Sequence, residues 1–319
     1  MATSEKSTMR GALFALAAFG IFATHDVFIK LLGATYSPFQ IIFFTTLMAF
    51  PLTTFMLMQD ETRDNLRPHH PWWTAMRTVC AVVATVCAFF AFSVLPLAQT
   101  YAILFAMPLL ITVLSVPLLG EQVGWRRGIA VLFGLAGVIV VLRPTSTELS
   151  LGHAAALGAA LFGAVAGVII RKIGREERSV VLILYPLLAN FLLMAVLMPQ
   201  NYVPMPLEHL GYVALISLLG FTAGLFLIAA YRASEAAIVA PMQYSQIVWA
   251  TLFGSLLFGE QVDTVTFLGA AIIIGSGMYI VLRESVGGAS CTTPVLRTRV
   301  RGFGTSFRIS PFLRRRRKN

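Results

Sequence analysis

Ten long apolar stretches constrain the fold of this chain more than any other feature. Each holds about 20 residues with few charges, which is the length that an α-helix needs to cross the hydrocarbon core of a bilayer. The chain has 319 residues, of which 57% are hydrophobic and 12% are charged, whereas soluble globular domains are about 25% charged. These values exclude a water-soluble domain and predict an all-α integral membrane protein. The predicted transmembrane helices are 10–33, 38–58, 72–94, 97–119, 126–143, 151–173, 179–198, 209–231, 235–258 and 264–283.

The distribution of Lys and Arg predicts the orientation in the membrane. If the N-terminus is cytoplasmic, 22 of the 24 cations fall on the cytoplasmic side, and only Lys30 and Arg143 fall on the outer side. Because loops that carry Lys and Arg resist translocation, both termini are predicted to be cytoplasmic, in a bacterial inner membrane. Nine cations crowd into residues 297–318 and supply most of the net charge of +10. Residues 284–319 are therefore interpreted as a disordered basic tail near anionic headgroups, and nucleic acid is not an expected partner.

The two halves of the chain resemble each other at a shift of about 140 residues. The motif Leu-Gly-Glu-Gln-Val at 119–123 recurs as Phe-Gly-Glu-Gln-Val at 258–262. This repeat divides the chain into a first unit of five helices, 10–143, and a second unit, 151–283. Because five is odd, equivalent positions lie on opposite sides of the membrane, so the repeats are inverted. Inverted repeats are typical of secondary transporters, whose substrate site lies near the midplane between the halves.

Several motifs at matching positions resemble the drug/metabolite transporter superfamily in its ten-helix, EamA-like form. The resemblance covers about residues 10 to 283 and implies a secondary active transporter that moves a small organic metabolite by alternating access. The motifs are Lys30 followed by Ser37-Pro38, Ala98 with Pro108 and Gly120-Glu121, and Ala237 with Gly259-Glu260.

The resemblance leaves the substrate and the direction of transport open. Within the superfamily, the chain looks most like bacterial metabolite carriers, and riboflavin uptake is the leading hypothesis. Amino-acid exporters and S-adenosylmethionine carriers share the same skeleton and remain alternatives. Many relatives carry an Arg early in the second helix, where this chain has Gln40, so an anion clamp at that position is not expected.

One acidic residue, Asp26, falls well inside a predicted span, next to the one such histidine, His25. Ionisable groups at membrane depth are costly and usually face a cavity or a partner. One interpretation is that Asp26, with His25, takes up and releases a coupling proton. The other is that Asp26 and Lys30, one helical turn apart, form a structural ion pair near the outer interface.

A second group of candidates is polar and aromatic and lies in two spans related by the repeat. Such amides and flat rings are suited to a planar polar solute, although they also serve as interhelical hydrogen bonds and core anchors. The ninth span offers Gln243, Tyr244, Gln246 and Trp249, the fourth offers Gln99, Tyr101 and Phe105, and the seventh adds Tyr185 and Asn190.

Other chemistries find little support in the sequence. The chain has no nucleotide-binding Gly-x-x-x-x-Gly-Lys motif, no His-Glu-x-x-His and no Gly-x-Ser-x-Gly, so a membrane-embedded enzyme and a channel are remote alternatives. The cysteines and the loop histidines His69 and His70 lack metal-ligand spacing, and no cofactor is expected. Glu121 and Glu260 are interpreted as turn or gate residues at helix ends. The expected partners are a small-molecule substrate and the lipid bilayer, with the proton as the candidate coupling ion, in a monomer or a homodimer.

Overall fold

The computed structural model describes seven parts of the chain, which are residues 2–58, 66–120, 124–142, 150–174, 176–233, 239–261 and 263–286. Glu121, Cys291 and residues 287–319 of the predicted tail lie outside the described residues. Within these parts the structure consists of helices and short connections, without strands. The eleven α-helices are α1 (Ala2–Gly33), α2 (Pro38–Met58), α3 (Pro71–Val94), α4 (Leu97–Leu104), α5 (Ala106–Leu119), α6 (Trp125–Leu142), α7 (Leu151–Ile173), α8 (Ser179–Leu197), α9 (Leu207–Ala233), α10 (Ser245–Phe258) and α11 (Thr264–Val286).

These helices confirm the predicted class, an all-α membrane protein. Among the described residues, six helical segments are long and apolar enough to cross a membrane, and three further apolar helices are shorter. Each of the ten predicted spans corresponds to one helix or to one interrupted helix, and the bounds differ by a few residues. Long aliphatic side chains on the helix surfaces face outward, among them Leu132 and Leu256, which are about two-thirds exposed. An outer surface of this kind is stable only in lipid.

Two spans are not continuous α-helices. The fourth span breaks at Phe105 into α4 and α5, and the ninth begins with a 3₁₀ segment, Ala240–Tyr244, before α10. Proline explains both interruptions: Pro108 has no N–H to donate to the carbonyl of Leu104, and Pro241 lies within the 3₁₀ turn. Interrupted helices expose backbone polar groups at membrane depth, which is tolerated where they line a cavity or are covered by protein.

The repeated Gly-Glu motif ends two helices in the same way. Gly120 follows α5 with φ of 68°, and Gly259 follows α10 with φ of 63°. A residue with a Cβ is strained in this left-handed conformation, so glycine is required at both helix ends. The repeated sequence motif therefore reflects a repeated backbone conformation.

The helices pair mainly across the two halves of the chain. Helix α1 packs along α9, α3 along α7, α6 along α11, and α2 along α8. Exchanging the two five-helix units turns the first pairing into the second and leaves the other two unchanged. This is the arrangement expected of two interlocked, pseudosymmetric repeats, and it places the fourth and ninth spans next to each other.

The α6–α11 pair is held at close range by glycine. A Cβ on Gly269 would lie 2.8 Å from the carbonyl oxygen of Gly137, and a Cβ on Gly137 would lie 3.0 Å from the carbonyl oxygen of Gly269. The two backbones therefore touch at the crossing. Small residues provide the close packing that drives helix association in lipid, where burial of apolar surface from water contributes little.

Candidate transport site

Asp26 of α1 is the centre of a buried polar cluster. Its Oδ1 lies 2.7 Å from Nδ1 of His25, and its Oδ2 accepts a hydrogen bond from the hydroxyl of Tyr101 in α4. The side chain of Gln246 in α10 lies beside the Tyr101 hydroxyl. Asp26 and Gln246 are each 8% exposed, and Tyr101 is 3% exposed. A carboxylate in lipid needs such partners, and here the cluster brings α1 and α4 of the first unit next to α10 of the second.

Aromatic rings continue this cluster through the two helix interruptions. The ring of Tyr101 lies 6.1 Å from that of Phe105, and Phe105 meets Tyr244 edge to face at 5.1 Å. Phe105 and Tyr244 each precede the glycine of their Gly-Glu motif by the same number of residues. They are therefore equivalent residues of the two repeats in direct contact, which places the pseudo-twofold axis at this pair. Tyr244 also packs over Gly277 of α11, where a Cβ would overlap its hydroxyl.

Trp249 extends the aromatic surface along α10. Its ring stacks with that of Phe253 at 6.1 Å, and its indole faces α1 at Gly20, where an added Cβ would lie 3.4 Å away. Gln243 lies half-buried on the 3₁₀ segment. The seven candidates of the fourth and ninth spans thus lie on adjoining elements, and four of them, Tyr101, Phe105, Tyr244 and Gln246, belong to the cluster around Asp26 or pack beside it.

Lys30 does not pair with Asp26 as the sequence suggested. Its Nζ lies 2.7 Å from Oε1 of Glu260, in the connection between α10 and α11, and it donates to the carbonyl oxygen of Leu95 at 2.5 Å. The reason is geometric, because His25 and Tyr101 already contact the two carboxylate oxygens of Asp26, while α10 ends close to the last turn of α1. The interpretation of Asp26 and Lys30 as a structural pair was therefore wrong.

Glu260 also accepts a backbone hydrogen bond at the same place. Its Oε2 accepts a hydrogen bond of 2.9 Å from the backbone N–H of Leu97, at the start of α4. Helix N-termini carry unsatisfied N–H groups and a partial positive charge, so a carboxylate is favourable there. Lys30, Glu260 and the start of α4 therefore form a junction of α1, α4 and α10, which we call the Lys30 junction. It lies at the end of the bundle opposite the first residues of α1 and the last residues of α11.

A small cavity of about 40 Å³ adjoins the Lys30 junction and is lined by Ala98, Gln99, Thr251 and Glu260, among others. It has room for about two water molecules. Gln99 does not reach the Asp26 cluster, because its side chain bonds to His153 of α7 at 3.0 Å.

Two predicted residues lie on α8, apart from the cluster. The Tyr185 hydroxyl donates to the carbonyl oxygen of Leu66 at 3.4 Å, near the start of α3. Asn190 is buried, and its Oδ1 has no partner within the described chain. Neither residue has a recorded bond to the Asp26 cluster, so neither is retained as a central ligand.

The opposite end of the bundle carries a different set of contacts. His70 Nε2 lies 2.5 Å from a Glu176 oxygen, and the His70 N–H donates to Glu177 at 2.5 Å. Within the described parts of the chain, no three His, Cys, Asp or Glu residues come together as a metal site would require. His70 is therefore a polar link between α3 and the α7–α8 connection.

Taken together, the arrangement has the parts that a carrier needs. A polar and aromatic cluster lies at interrupted helices between two inverted units, and a charged junction closes the bundle at one end. In this conformation Asp26, Tyr101 and Gln246 are buried. The fold and the site thus define a carrier built from two inverted five-helix repeats.

The chain belongs to the EamA-like transporter family, whose model matches residues 9–143 and 150–282. The two matches coincide closely with the two units seen in the internal repeat. Members of this family are transporters of small metabolites, which agrees with the class that the fold defines.

Three characterised relatives illustrate the range within the family. The S-adenosylmethionine uptake transporter of Rickettsia prowazekii (strain Madrid E) is 21% identical over 88% of this chain and 95% of its own length. The pseudopaline exporter CntI of Pseudomonas aeruginosa (strain UCBPP-PA14) is 26% identical over 83% of this chain and 93% of its own. The riboflavin transporter of Vibrio cholerae serotype O1 is 29% identical over 70% of this chain and 76% of its own. These proteins differ in substrate and direction, so riboflavin is not singled out.

A crystal structure of another protein supports the fold. It superposes with a TM-score of 0.60 at 18% identity and covers 88% of this chain and 99% of the other. At this identity the likeness concerns the fold alone.

Proposed function

We propose that this chain is a secondary active transporter that carries a planar, neutral or zwitterionic metabolite by alternating access, coupled to a proton at Asp26. The observation that carries the proposal is the buried Asp26 carboxylate, which is bonded to Tyr101 beside Gln246 where the two repeats meet. Asp26 bonds to His25 and Tyr101 of the first repeat, and Tyr101 lies beside Gln246 of the second, so a change of charge at Asp26 acts where the two repeats meet.

The substrate surface consists of flat rings and amides. Trp249, Tyr244 and Phe105 offer ring faces and edges, and Gln243 and Gln246 offer donors and acceptors for a planar heterocycle. Riboflavin, the substrate named for the Vibrio cholerae relative, has this chemistry and is the first candidate. S-adenosylmethionine, named for the Rickettsia relative, is the second, because its cationic centre would be attracted by Asp26.

A proton at Asp26 changes the cluster in a defined way. The ionised carboxylate accepts hydrogen bonds from Tyr101 and from His25, whereas the protonated group gives up one acceptor position. The Tyr101 hydroxyl is then released toward the solute or toward Gln246. Lys30, one turn further along α1, and Glu260, after α10, neutralise each other, which leaves the Asp26 carboxylate as the net charge near the centre of the bundle.

The Lys30 junction is the gate at one end of the proposed pathway. While Lys30 and Glu260 are paired, α1, α4 and α10 are tied together, and the solute reaches the cluster from the other end. With both termini in the cytoplasm of a bacterial cell, this gate faces the outside. A fluorescent reporter that folds only in the cytoplasm, fused to the C-terminus, tests this orientation: fluorescence supports it, and a dark but expressed fusion contradicts it.

Ligand-dependent thermal unfolding tests the substrate. The purified protein is heated in detergent with riboflavin, flavin mononucleotide, S-adenosylmethionine, nucleosides or aromatic amino acids, because a ligand that binds only the folded state raises the melting temperature. We expect a riboflavin-dependent shift that disappears in Trp249→Ala and in Gln243→Ala. Trp72→Ala is the matched control, since Trp72 is 85% exposed on α3. A shift with S-adenosylmethionine alone would replace riboflavin by the second candidate, and shifts that survive both substitutions would remove the proposed site.

Uptake into proteoliposomes tests the coupling. Asp26→Asn keeps the size of the side chain and removes its titration, so we expect uptake driven by a pH gradient to fall to the rate without a gradient. Asp263→Asn, at the start of α11, is the control and should respond to the gradient like the parent protein. Gradient-driven uptake at the parent rate in Asp26→Asn would refute coupling at this residue.

A further inference from the structure

A groove runs along the outside of the bundle between α6 and α11, away from the transport site. Its volume is about 520 Å³. The space arises because small residues, Ala130, Ala271 and Gly275, alternate with larger ones such as Phe133 and Tyr279. Nothing lies within 4 Å of the position that a Cβ on Gly275 would take, so the groove is open at this glycine.

The groove belongs to the membrane-facing surface. Phe133 is 65% exposed and Tyr279 is 45% exposed, although both lie on apolar helices that cross the bilayer. The hydroxyl of Ser276 is satisfied by the carbonyl oxygen of Ala130, which leaves the floor apolar. In a membrane, hydrocarbon chains cover such a surface.

One end of the groove has a charge. Among the described residues that line it, Arg126 is the one charged side chain, and no carboxylate is present. Arg126 lies at the first turn of α6, with its guanidinium 5.3 Å from the ring centre of Trp125. Tyr279 lies on the other helix, α11, and lines the same groove, and Trp, Tyr and Arg together are typical of the headgroup region.

We propose that this groove binds one anionic phospholipid, with an acyl chain along Gly275 and the phosphate at Arg126. Arginine binds phosphate through paired N–H donors, and an anionic headgroup supplies the counter-charge that the groove lacks. The basic tail does not suit this place, because its nine Lys and Arg residues would be repelled by Arg126. The same groove on a second copy would bring two Arg126 residues together, which disfavours a symmetric dimer through this face.

Lipid binding to the full-length protein in detergent tests the proposal. Native mass spectrometry counts the phosphatidylglycerol or phosphatidylcholine molecules that stay bound at equal concentrations of both lipids. We expect one tightly held phosphatidylglycerol, an affinity about fivefold lower in Arg126→Gln, and loss of this lipid in Gly275→Leu, whose side chain fills the groove. Arg10→Gln and Gly211→Leu are the matched controls, since Arg10 is an exposed cation at the same end of the bundle and Gly211 is a helical glycine with open space at its Cβ.

Three results would overturn the proposal. Equal retention of the two lipids would show that the groove does not select an anion. Phosphatidylglycerol binding unchanged in Gly275→Leu would place the lipid elsewhere. A dimer that becomes a monomer in Gly275→Leu would identify a second copy as the occupant. Because the readout is lipid retention, each result is independent of transport activity.

Discussion

Replacing Glu260 by Gln removes the charge at the Lys30 junction while keeping an oxygen for the N–H of Leu97. The side chains of Lys30 and Glu260 are 12% and 16% exposed, so the variant leaves a largely buried ammonium group whose remaining partners are the carbonyl oxygen of Leu95 and the ring of Phe258, 5.4 Å away. Breaking a buried ion pair by removing one partner costs about 3–5 kcal/mol. We take the lower value, about 3 kcal/mol, because both side chains retain some contact with solvent. If this free energy stabilises the closed junction, the open fraction rises roughly 100-fold.

Cysteine labelling measures this change. The cysteines Cys80, Cys87 and Cys291 are first replaced by Ser, and a single thiol is introduced as Ala98→Cys. Ala98 is 4% exposed and lines the small cavity beside Glu260, so a polar maleimide reaches it only when the junction opens. For an opening that is fast relative to labelling, the rate is proportional to the open fraction. We therefore expect Glu260→Gln to raise the labelling rate by up to about 100-fold in detergent.

Two controls make the experiment decisive. Glu208→Gln removes an exposed carboxylate at the same end of the bundle, on α9, and should leave the rate unchanged. The double variant Lys30→Met, Glu260→Gln removes both charges and should label more slowly than Glu260→Gln alone, since paired residues are not additive. Labelling of Glu260→Gln at the parent rate, or additive effects in the double variant, would refute the assignment of the Lys30 junction as a gate.

Two further predictions concern the scaffold. Gly269→Leu should lower the free energy of unfolding by about 1–3 kcal/mol or more, because its Cβ would lie 2.8 Å from the carbonyl oxygen of Gly137. Gly275→Leu on the same helix faces open space and should be close to neutral. Chemical unfolding of both variants measures the difference. Gly259→Ala should cost about 1–2 kcal/mol because φ is 63°, whereas Gly211→Ala, without a positive φ, should not destabilise; a parent-like melting temperature for Gly259→Ala would show that this helix end relaxes.

Most of the fold was predictable because each membrane helix is a long run of apolar residues that can be recognised in the sequence. Bilayer thickness fixes the length of an apolar span, and short connections leave few places for boundaries, so the predicted spans match the helices closely. The sequence also places Pro108, Pro117, Pro186 and Pro241 inside predicted spans, although α5 and α8 continue through Pro117 and Pro186. It did not show the outcome, a break at Phe105 and a 3₁₀ turn before α10, because proline removes a hydrogen bond without fixing the conformation that replaces it.

The site was predicted in part. An acidic residue such as Asp26 is rare at membrane depth and can be recognised from the sequence alone, and so can the polar start of the ninth span. The partner of Lys30 cannot be recognised in this way, because Asp26 is near in sequence, whereas Glu260 is brought close by packing of α1 against α10. Likewise, Gln99 shares a helix with Tyr101 but turns toward His153. Which side of a helix faces a cavity depends on the packing of neighbours, and apolar periodicity is a weak guide where every face is apolar.

The internal repeat nevertheless relates both charged residues of the Lys30 junction to equivalent residues in the other unit. Lys30 and Arg171 are equivalent in the two units, as are Glu260 and Glu121, so both charges of the Lys30 junction have counterparts. Glu121 lies outside the described residues, and a matching pair with Arg171 is a prediction from the repeat alone. Alternating access requires a second gate at the opposite end of the bundle, and the inverted repeat puts these counterparts at that end.

A variant at the second gate should change the labelling rate in the opposite direction. In the conformation in which the Lys30 junction is open, the counterpart pair should be closed, so Glu121→Gln should destabilise that conformation. Labelling of Ala98→Cys should therefore slow down by up to about 100-fold in Glu121→Gln, whereas Glu260→Gln accelerates it. The double variant Glu121→Gln, Glu260→Gln should return toward the parent rate, because it weakens both closed ends by similar amounts. If Glu121→Gln accelerates labelling or leaves it unchanged, the two ends do not exchange closure through equivalent ion pairs, and Glu260 acts at its own end alone.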